Sequence, residues 1–574
     1  MLISRRIIRR KEVHTMTSLK LFCLIILSSL MIISFEVSGF AKTPFPQFGV
    51  VRQKCSVCHK LDQKGRVEVI EETRKTPEEW KVVVERMIRV NGAPISDADF
   101  HPVIKELSKY LTLTPDETKK VFYITSDENS QYKENPKTDI EKKIYTACVR
   151  CHTYGKICSH KKTAEQWVET IKMHLAYQPT VVPQMREMDW PTEAMKLARN
   201  ELAKKFPFDT REWRKWMANR TLPNISGKWK VCGFQPGMGY YQGEYIFRPN
   251  MEKGDDEYFV EKRIRYANGT TLRTTGSGTL YGGYHLRYSL APTPLIGRVE
   301  GVFNLDTTVM GFYGKWWTEI QDTNAYGDES FYMETGSPRV FALFPKSIKA
   351  SDEPQTVTLV GVNLPELSPS DIKFDDPAIK VIQVEKSGEN VVVCQVRAAG
   401  AQEGQHSVKI MSAKCGDPAS RGVEGFISLS ADVLTVYKKL DGIKVFPELG
   451  RARVSCGAAY PPQGVQFVAR GVAAGKDGKI GTNDDLILEP VNAKWQLEEY
   501  KTRENDDDLK YLNQPVINGL YTPFTTYGPI EDRPQRREGV GLIAIRATYS
   551  EGGRTFSGKA LLGVTDPDFV PHIK

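Results

Sequence analysis

The chain has 574 residues, of which 40% are apolar and 26% charged, and a formal charge of +9. At about 100–200 residues per domain this length means three to five domains, and a mean hydropathy of −0.39 excludes a polytopic membrane protein. The charge is no footprint for nucleic acid. Four of the nine positive charges come from the first 41 residues, where Arg5, Arg6, Arg9, Arg10, Lys11 and Lys20 outnumber Glu12 and Glu36, and the remainder is spread thinly.

The N-terminus has three parts. Basic residues come first, then an apolar run over 21–35, then Gly39 and Ala41. This is the layout of a secretory signal peptide over 1–41, cleaved after Gly39-Phe40-Ala41. The run of about 15 residues is short for a span of about 20. The expectation is a cleaved leader, export to the periplasm and no permanent membrane anchor.

Two cysteine motifs follow, Cys55-Ser56-Val57-Cys58-His59 and Cys148-Val149-Arg150-Cys151-His152. C-x-x-C-H is the attachment sequence of c-type haem. Two thiols add to the two vinyl groups on one porphyrin edge, and the next residue supplies the proximal nitrogen. Chance at this composition gives roughly 0.003 matches. Zinc would want two close pairs of ligands, and a redox dithiol would not need the histidine. The cofactor expectation is two covalently bound haem c, attached through Cys55, Cys58, Cys148 and Cys151 with His59 and His152 on the iron.

Downstream of each motif lies a helix start of one design, Thr76-Pro77-Glu78-Glu79-Trp80 and Thr163-Ala164-Glu165-Gln166-Trp167. Threonine with Glu or Gln three residues later predicts a capping box. Eleven residues after each threonine stand Met87 and His174. Each shares a helix face with the tryptophan seven residues before it. Methionine sulfur and histidine nitrogen are the usual distal ligands of low-spin haem. The repeat therefore predicts one His/Met iron, His59 with Met87, and one His/His iron, His152 with His174. His101, His160, Met173, Met185 and Met188 are alternatives in the same region, and a lone Met or His on a helix is more often plain core or a hydrogen-bonded residue. A further helix is predicted from Ser96, with Ile104, Leu107, Tyr110 and Leu111 packed beside the first haem. The polar stretch 126–139 reads as a linker between modules.

From about residue 222 the pattern turns to alternating strands punctuated by glycines. Tyr240, Tyr241, Tyr281, Tyr284, Trp316 and Trp317 read as barrel core in preference to a ligand mouth. The predicted fold is multidomain: an N-terminal α-helical dihaem cytochrome c domain over 42–220 (modules about 42–125 and 139–220), then three all-β domains. These are an antiparallel β-barrel over 221–337, an immunoglobulin-like β-sandwich over 338–435 and a C-terminal β-sandwich over 436–574. The acidic loop 477–485 lacks the full pattern of a calcium loop and reads as a solvated hairpin. Asp506-Asp507-Asp508 reads as a solvated turn. Cys158, Cys232, Cys394, Cys415 and Cys456 are odd in number, and Cys394 with Cys415 is one conceivable bridge.

Two C-x-x-C-H modules, the Thr-x-Glu-x-Trp helices, and the segments Gly478-Lys479-Ile480-Gly481-Thr482-Asn483-Asp484-Asp485 and Trp495-Gln496-Leu497-Glu498-Glu499-Tyr500 come together in this chain. In that combination it resembles the large dihaem α subunit of quinohemoprotein amine dehydrogenase, from about Lys42 onward. The segment 156–161, with Cys158, has no counterpart in that pattern. The resemblance implies a periplasmic heterotrimer. A small subunit carries cysteine tryptophylquinone and oxidises primary amines, and a β-propeller subunit helps enclose the site. This chain takes electrons from the quinone through its haems to a soluble acceptor such as a cupredoxin or cytochrome c. No catalytic residue is then expected here, and the sequence shows no nucleophile–base constellation. Because Met raises a haem potential relative to His, the expected order is entry at His152/His174 and exit at His59/Met87. Two other readings compete: a stand-alone dihaem cytochrome c with β binding domains, and a dihaem peroxidase, which needs an iron without a distal ligand.

Overall fold

The computed structural model describes residues 48–565 except 123, 125–133, 150–151, 180, 186, 221, 308–309, 319–325, 335–337, 388–389, 412–425, 429–433, 455–463, 503 and 524–540. The leader over 1–41, most of the linker, Cys151, Cys415 and Cys456 lie outside the described residues.

The helical part is built from two copies of one cap. Thr76 caps the Pro77–Asn91 helix by accepting the Glu79 amide at 3.3 Å, and proline fills the first helical position. The helix stops at Gly92, whose φ of 65° is the left-handed C-cap that glycine supplies without strain. Thr163 caps Ala164–Tyr177 in the same way, accepting the Gln166 amide at 3.2 Å. The capping-box expectation holds only by half. Glu79 and Gln166 do not turn back to their caps. Glu79 Oε2 stands 2.9 Å from His160 Nε2, and Gln166 donates to Glu72 at 2.8 Å. Both contacts cross from one module to the other, so tertiary pairing has taken the side chains that local capping would use.

That seam has a backbone too. Thr73 and Arg74 pair antiparallel with Lys162 and Lys161 in a two-stranded ladder, and Thr163 N–H donates to Glu72 at 3.1 Å. Arg74, fully buried, holds Glu117 at 2.7 Å and the Phe208 carbonyl at 2.6 Å. The tryptophans repeat as well. Trp80 Nε1 donates to the Leu111 carbonyl at 2.9 Å, and Trp167 Nε1 to that of Phe206 at 3.2 Å. The helix predicted from Ser96 spans Asp97–Tyr110 with a complete capping box, and buries Ile104 and Leu107 against Trp80.

Eight strands from Gly227–Gln235 to Tyr326–Met333 pair antiparallel in sequence order, and the last pairs with the first. Closure removes the free edges that an open sheet would expose. Gly243 is required where its strand meets the next, since a Cβ there would sit 2.0 Å from the Arg263 carbonyl oxygen. Trp229, Tyr241, Tyr245, Phe303 and Phe331 fill the interior, with Trp316 among them. One ion pair is sealed inside. Lys262 Nζ lies 2.6 Å from Glu329, which also accepts from Tyr241 and Tyr245 at 2.6 Å each, so neither charge is left bare. Of the six aromatics named from sequence, Tyr281 instead joins the core of the first haem module, and Tyr240 stacks on Phe344 of the next domain at 5.2 Å.

The barrel is bolted to the first module. Arg287 Nε meets Glu78 Oε1 at 2.6 Å, Tyr284 donates to the Leu113 carbonyl at 2.8 Å, and Glu257 accepts from Lys105 at 3.1 Å. Beyond it the chain is mostly β. Two further cores gather around Val357, Val392 and Val408, and around Val445, Phe467 and Ile545. Cys394 is a buried free thiol that donates to the Val357 carbonyl. The 477–485 segment is the loop between the paired strands Val468–Ala473 and Leu486–Pro490. The solvated-turn expectation for 506–508 is wrong. Asp506 and Asp508 are buried, because Asp506 accepts from Thr502 and Asp508 from the Leu542 amide at 2.7 Å.

Candidate haem-binding sites

The first motif winds from the short helix Val50–Cys55 into a turn, where Cys58 and His59 both donate to the Cys55 carbonyl. Glu106 receives the Val51 amide at 2.6 Å and so fixes the start of that helix. Cys55, Cys58, His59 and Met87 all line one cavity, closed on the inside by Trp80, Val84, Ile95 and Leu107. Its volume is ≈ 260 Å³, just under the roughly 300–1,000 Å³ of ligand pockets generally. Met87 therefore stands where the repeat places it, with its sulfur 3.7 Å from Asn91 Nδ2, too long for more than a weak contact. Met173 lines the same cavity, but its sulfur is engaged at 3.0 Å by Arg86 Nη1. Of the two sulfurs, that of Met87 is the freer.

In the second module Cys148 ends the Asp139–Cys148 helix, and Cys151 lies outside the described residues. His152 and His174 face each other with ring centroids 6.4 Å apart. Two metal–imidazole bonds of about 2 Å each, plus the depth of each ring, separate opposed ligand rings by about 6.3 Å. The ring planes are inclined by 54°. The tautomers agree. His174 Nδ1 lies 2.7 Å from the Thr170 carbonyl, and His152 Nδ1 lies 3.1 Å from that of Thr153. A carbonyl can only accept, so in the neutral rings Nδ1 carries the proton and Nε2 keeps its lone pair, as a metal ligand needs. Burial pushes His152 down to about 4, helped by the nearby Lys156 charge, and burial also lowers His59 and His174. All three are neutral at physiological pH. Burial pushes Cys55 up to about 11 and Cys148 up to about 12, so neither is the low-pKa thiolate of a reactive dithiol. The residues present fit haem at both places.

The alternative ligands are otherwise occupied. His101 bonds Glu257 at 2.8 Å, His160 faces Glu79, and Met185 and Met188 belong to the second module's core. Trp190 was not singled out from the sequence. Its ring lies 6.0 Å from that of His174, and its Nε1 donates to the Ala147 carbonyl, next to Cys148, at 2.7 Å. Trp190-Pro191 opening a helix was the available signal.

The family described as "Quinohemoprotein amine dehydrogenase A, alpha subunit, haem binding" matches residues 47–213, which hold both sites. Domains II, III and IV of the same alpha subunit match 223–327, 337–417 and 443–573. The chain belongs to the quinohemoprotein amine dehydrogenase alpha-subunit family. It is thus a haem-binding subunit of an oxidoreductase. No curated protein matches the chain. Among solved structures it is similar to a redesigned β-barrel, mFAP1, bound to DFHBI, at 16% identity over 19% of this chain and 94% of that one, with a TM-score of 0.16. Drosophila N-cadherin EC1-3 is similar at 12% identity over 55% of this chain and 91% of that one, with a TM-score of 0.21. These likenesses carry no functional argument. Among the described residues no helix is long and apolar enough to cross a membrane.

Proposed function

We propose that this chain is the electron-transfer subunit of a periplasmic amine dehydrogenase, with two covalent c-type haems. It receives electrons from a cysteine tryptophylquinone on a small partner subunit and passes them to a soluble acceptor. The observation that carries the reading is the opposed His152–His174 pair, each ring tied back through Nδ1. A haem with both axial positions filled by protein supplies one-electron chemistry alone, with no open coordination site.

The chain's residues divide the remaining work. Cys55 and Cys58, and Cys148 with Cys151, tether the groups. His59 with Met87, and His152 with His174, grip them from both sides. Trp80, Val84 and Leu107 exclude water from the inner wall of the first cavity. Around the first motif several apolar side chains are exposed: Val57 is 67% exposed, and Leu61 and Val69 are also bare to solvent. Arg52, Lys60 and Lys64, in the same stretch of chain, are exposed too. Exposed apolar and cationic side chains beside the first motif suit a transient contact with an acidic acceptor, which supports exit at the first haem. The buried Arg287–Glu78 pair and the Tyr284 bond let the barrel hold this module rigidly. The amine-oxidising site belongs, in this reading, to the small subunit, with a β-propeller subunit completing a heterotrimer.

The test is native purification of tagged chain from its host, with haem-stained electrophoresis, mass spectrometry of co-purifying subunits and a reduced-minus-oxidised spectrum. Reduced c-type bands with a small quinone-bearing partner are expected. Emergence of the chain alone favours the stand-alone cytochrome, and a vacant high-spin iron favours the peroxidase.

A further inference from the structure

Three cations meet at the seam between the modules, none of them in an ion pair with a described carboxylate. Lys75 and Lys162 hold equivalent places in the two copies, each one residue before its cap threonine. Each ammonium lies over its own copy's tryptophan, Lys75 at 5.8 Å from the Trp80 ring and Lys162 at 5.2 Å from that of Trp167. Both residues are only 7% exposed. The Lys75 amide donates to the Leu111 carbonyl at 3.0 Å, but its ammonium has no hydrogen bond or ion pair to a described residue. Lys162 donates to the Thr170 hydroxyl, a neutral acceptor. Arg86 donates to the Met173 sulfur at 3.0 Å and lies over the Tyr177 ring.

The acids nearby are committed elsewhere or outnumbered. Glu79 faces His160, Glu72 accepts from Gln166, and Glu169 pairs with Lys172 at 2.7 Å. Lys54, at the same cavity, is already matched by Asp99 at 2.7 Å. A buried ammonium without an anion is strongly disfavoured. Burial accordingly drives Lys75 down to about 8 and Lys162 well below its usual value. One buried carboxylate, Glu79, acts on both lysines, and His160 and Lys156 share it; against that single charge Lys75, Lys162 and Arg86 all line the cavity of Cys55, Cys58, His59 and Met87. A haem brings two propionate carboxylates on the edge away from its thioether side.

We propose that Lys75, Lys162 and Arg86 form the propionate site of the haem tethered by Cys55 and Cys58, and bury its carboxylates at the seam between the two modules. The inference rests on the haem reading above. It gives the ladder of Thr73 and Arg74 with Lys162 and Lys161 a task, because that ladder delivers a second-module lysine to the first-module cofactor. Cations beside an iron oppose the extra positive charge of its oxidised form and so raise its potential.

The experiment is a spectroelectrochemical titration of the purified holo-protein, with resonance Raman spectra of the propionate bending mode. Lys75→Met and Lys162→Met are each expected to lower the equilibrium constant for reducing the first haem about tenfold, about 59 mV for one electron, and to shift the bending band. Lys75→Arg and Lys162→Arg, which keep the charge, are expected to shift the potential less, and they remain informative if a methionine variant does not fold. An unchanged potential in variants with wild-type c-type bands overturns the proposal, as does a changed potential with an unmoved bending band. Absence of c-type bands in the wild-type chain would instead refute the haem reading itself.

Discussion

The Arg287–Glu78 pair is the sharpest test of what the barrel does for the first haem site. Glu78 lies in the first turn of the helix that carries Met87, and its side chain is 1% exposed. Arg287 reaches it from the barrel at 2.6 Å, and also gives Nη1 to the Leu286 and Phe303 carbonyls at 3.0 Å each. Glu78 Oε2 has no partner. Arg287→Met therefore leaves a buried carboxylate with only the helix N-terminus to steady it. Removing one member of a buried pair costs about 3–5 kcal/mol, two to four orders of magnitude in the equilibrium. Replacing both is close to neutral, so adding Glu78→Gln to Arg287→Met should recover most of the loss, with a coupling energy of about 2–3 kcal/mol. The assay is urea unfolding of the holo-protein followed separately by haem absorption and by tryptophan fluorescence, since several domains need not melt together. The haem-monitored transition should move most. A single-variant cost below about 1 kcal/mol, or a double variant no more stable than the single, would refute the idea that this pair anchors the helix.

Three further outcomes are expected. Met87→His should lower the potential of one haem by about 0.1–0.2 V, within the ≈ 0.8 V that axial ligands span, and leave the other unchanged; a titration with both centres unmoved removes Met87 as a ligand. Burial works to raise Glu117, but the Arg74 hydrogen bond and charge hold its carboxyl below the usual range. A depressed folded-state pKa adds stability above the unfolded value of about 4.3 that is lost as pH falls through the folded one. Glu117→Gln should therefore lower the melting temperature at pH 7 and narrow the gap to wild type below pH 4, and a gap that widens in acid contradicts the sign. Trp80→Phe and Trp167→Phe each remove one of two hydrogen bonds to a carbonyl, of Leu111 and Phe206, which still accept from the Lys75 and Lys162 amides, and should each cost about 0.5–1.5 kcal/mol. A large disparity between them in thermal melts would mean that the two caps are not equivalent.

What the sequence disclosed and what it hid follow from range. The haem motifs, the threonine caps and the paired tryptophans are local patterns in which each residue needs only its helical neighbours, and the structure builds them at Thr76, Thr163, Trp80 and Trp167. The alternating strands after residue 222 gave away a β region, but closure into a barrel needs the last strand to find the first, across about a hundred residues. Side chains recruited from afar were hidden. Glu79 and Gln166 were expected to complete capping boxes and are spent between modules instead. Asp506 and Asp508 read as solvated because runs of carboxylates usually are, yet backbone and hydroxyl donors from elsewhere draw them inside. Lys75 and Lys162 gave no signal at all, since one lysine before a cap normally faces water.

The duplication also explains how two sites come to stand close together. Where the copies agree, at the cap threonine, the lysine before it and the tryptophan after it, they build the same helix seat twice. Where they differ, at Met87 against His174 and at Glu79 against Gln166, they distinguish the two proposed axial sets and knit the seam. The Ala164–Tyr177 helix serves both sites at once. Neighbouring residues on a helix point about 100° apart, so His174 faces His152 while Met173 lines the cavity of His59. The two candidate sites thus share a single helix, whose cap, tryptophan and preceding ladder strand are all packed into the seam. A change that loosens the Thr73–Lys162 ladder should therefore disturb both sites together, whereas one confined to the exposed Val90 should disturb neither.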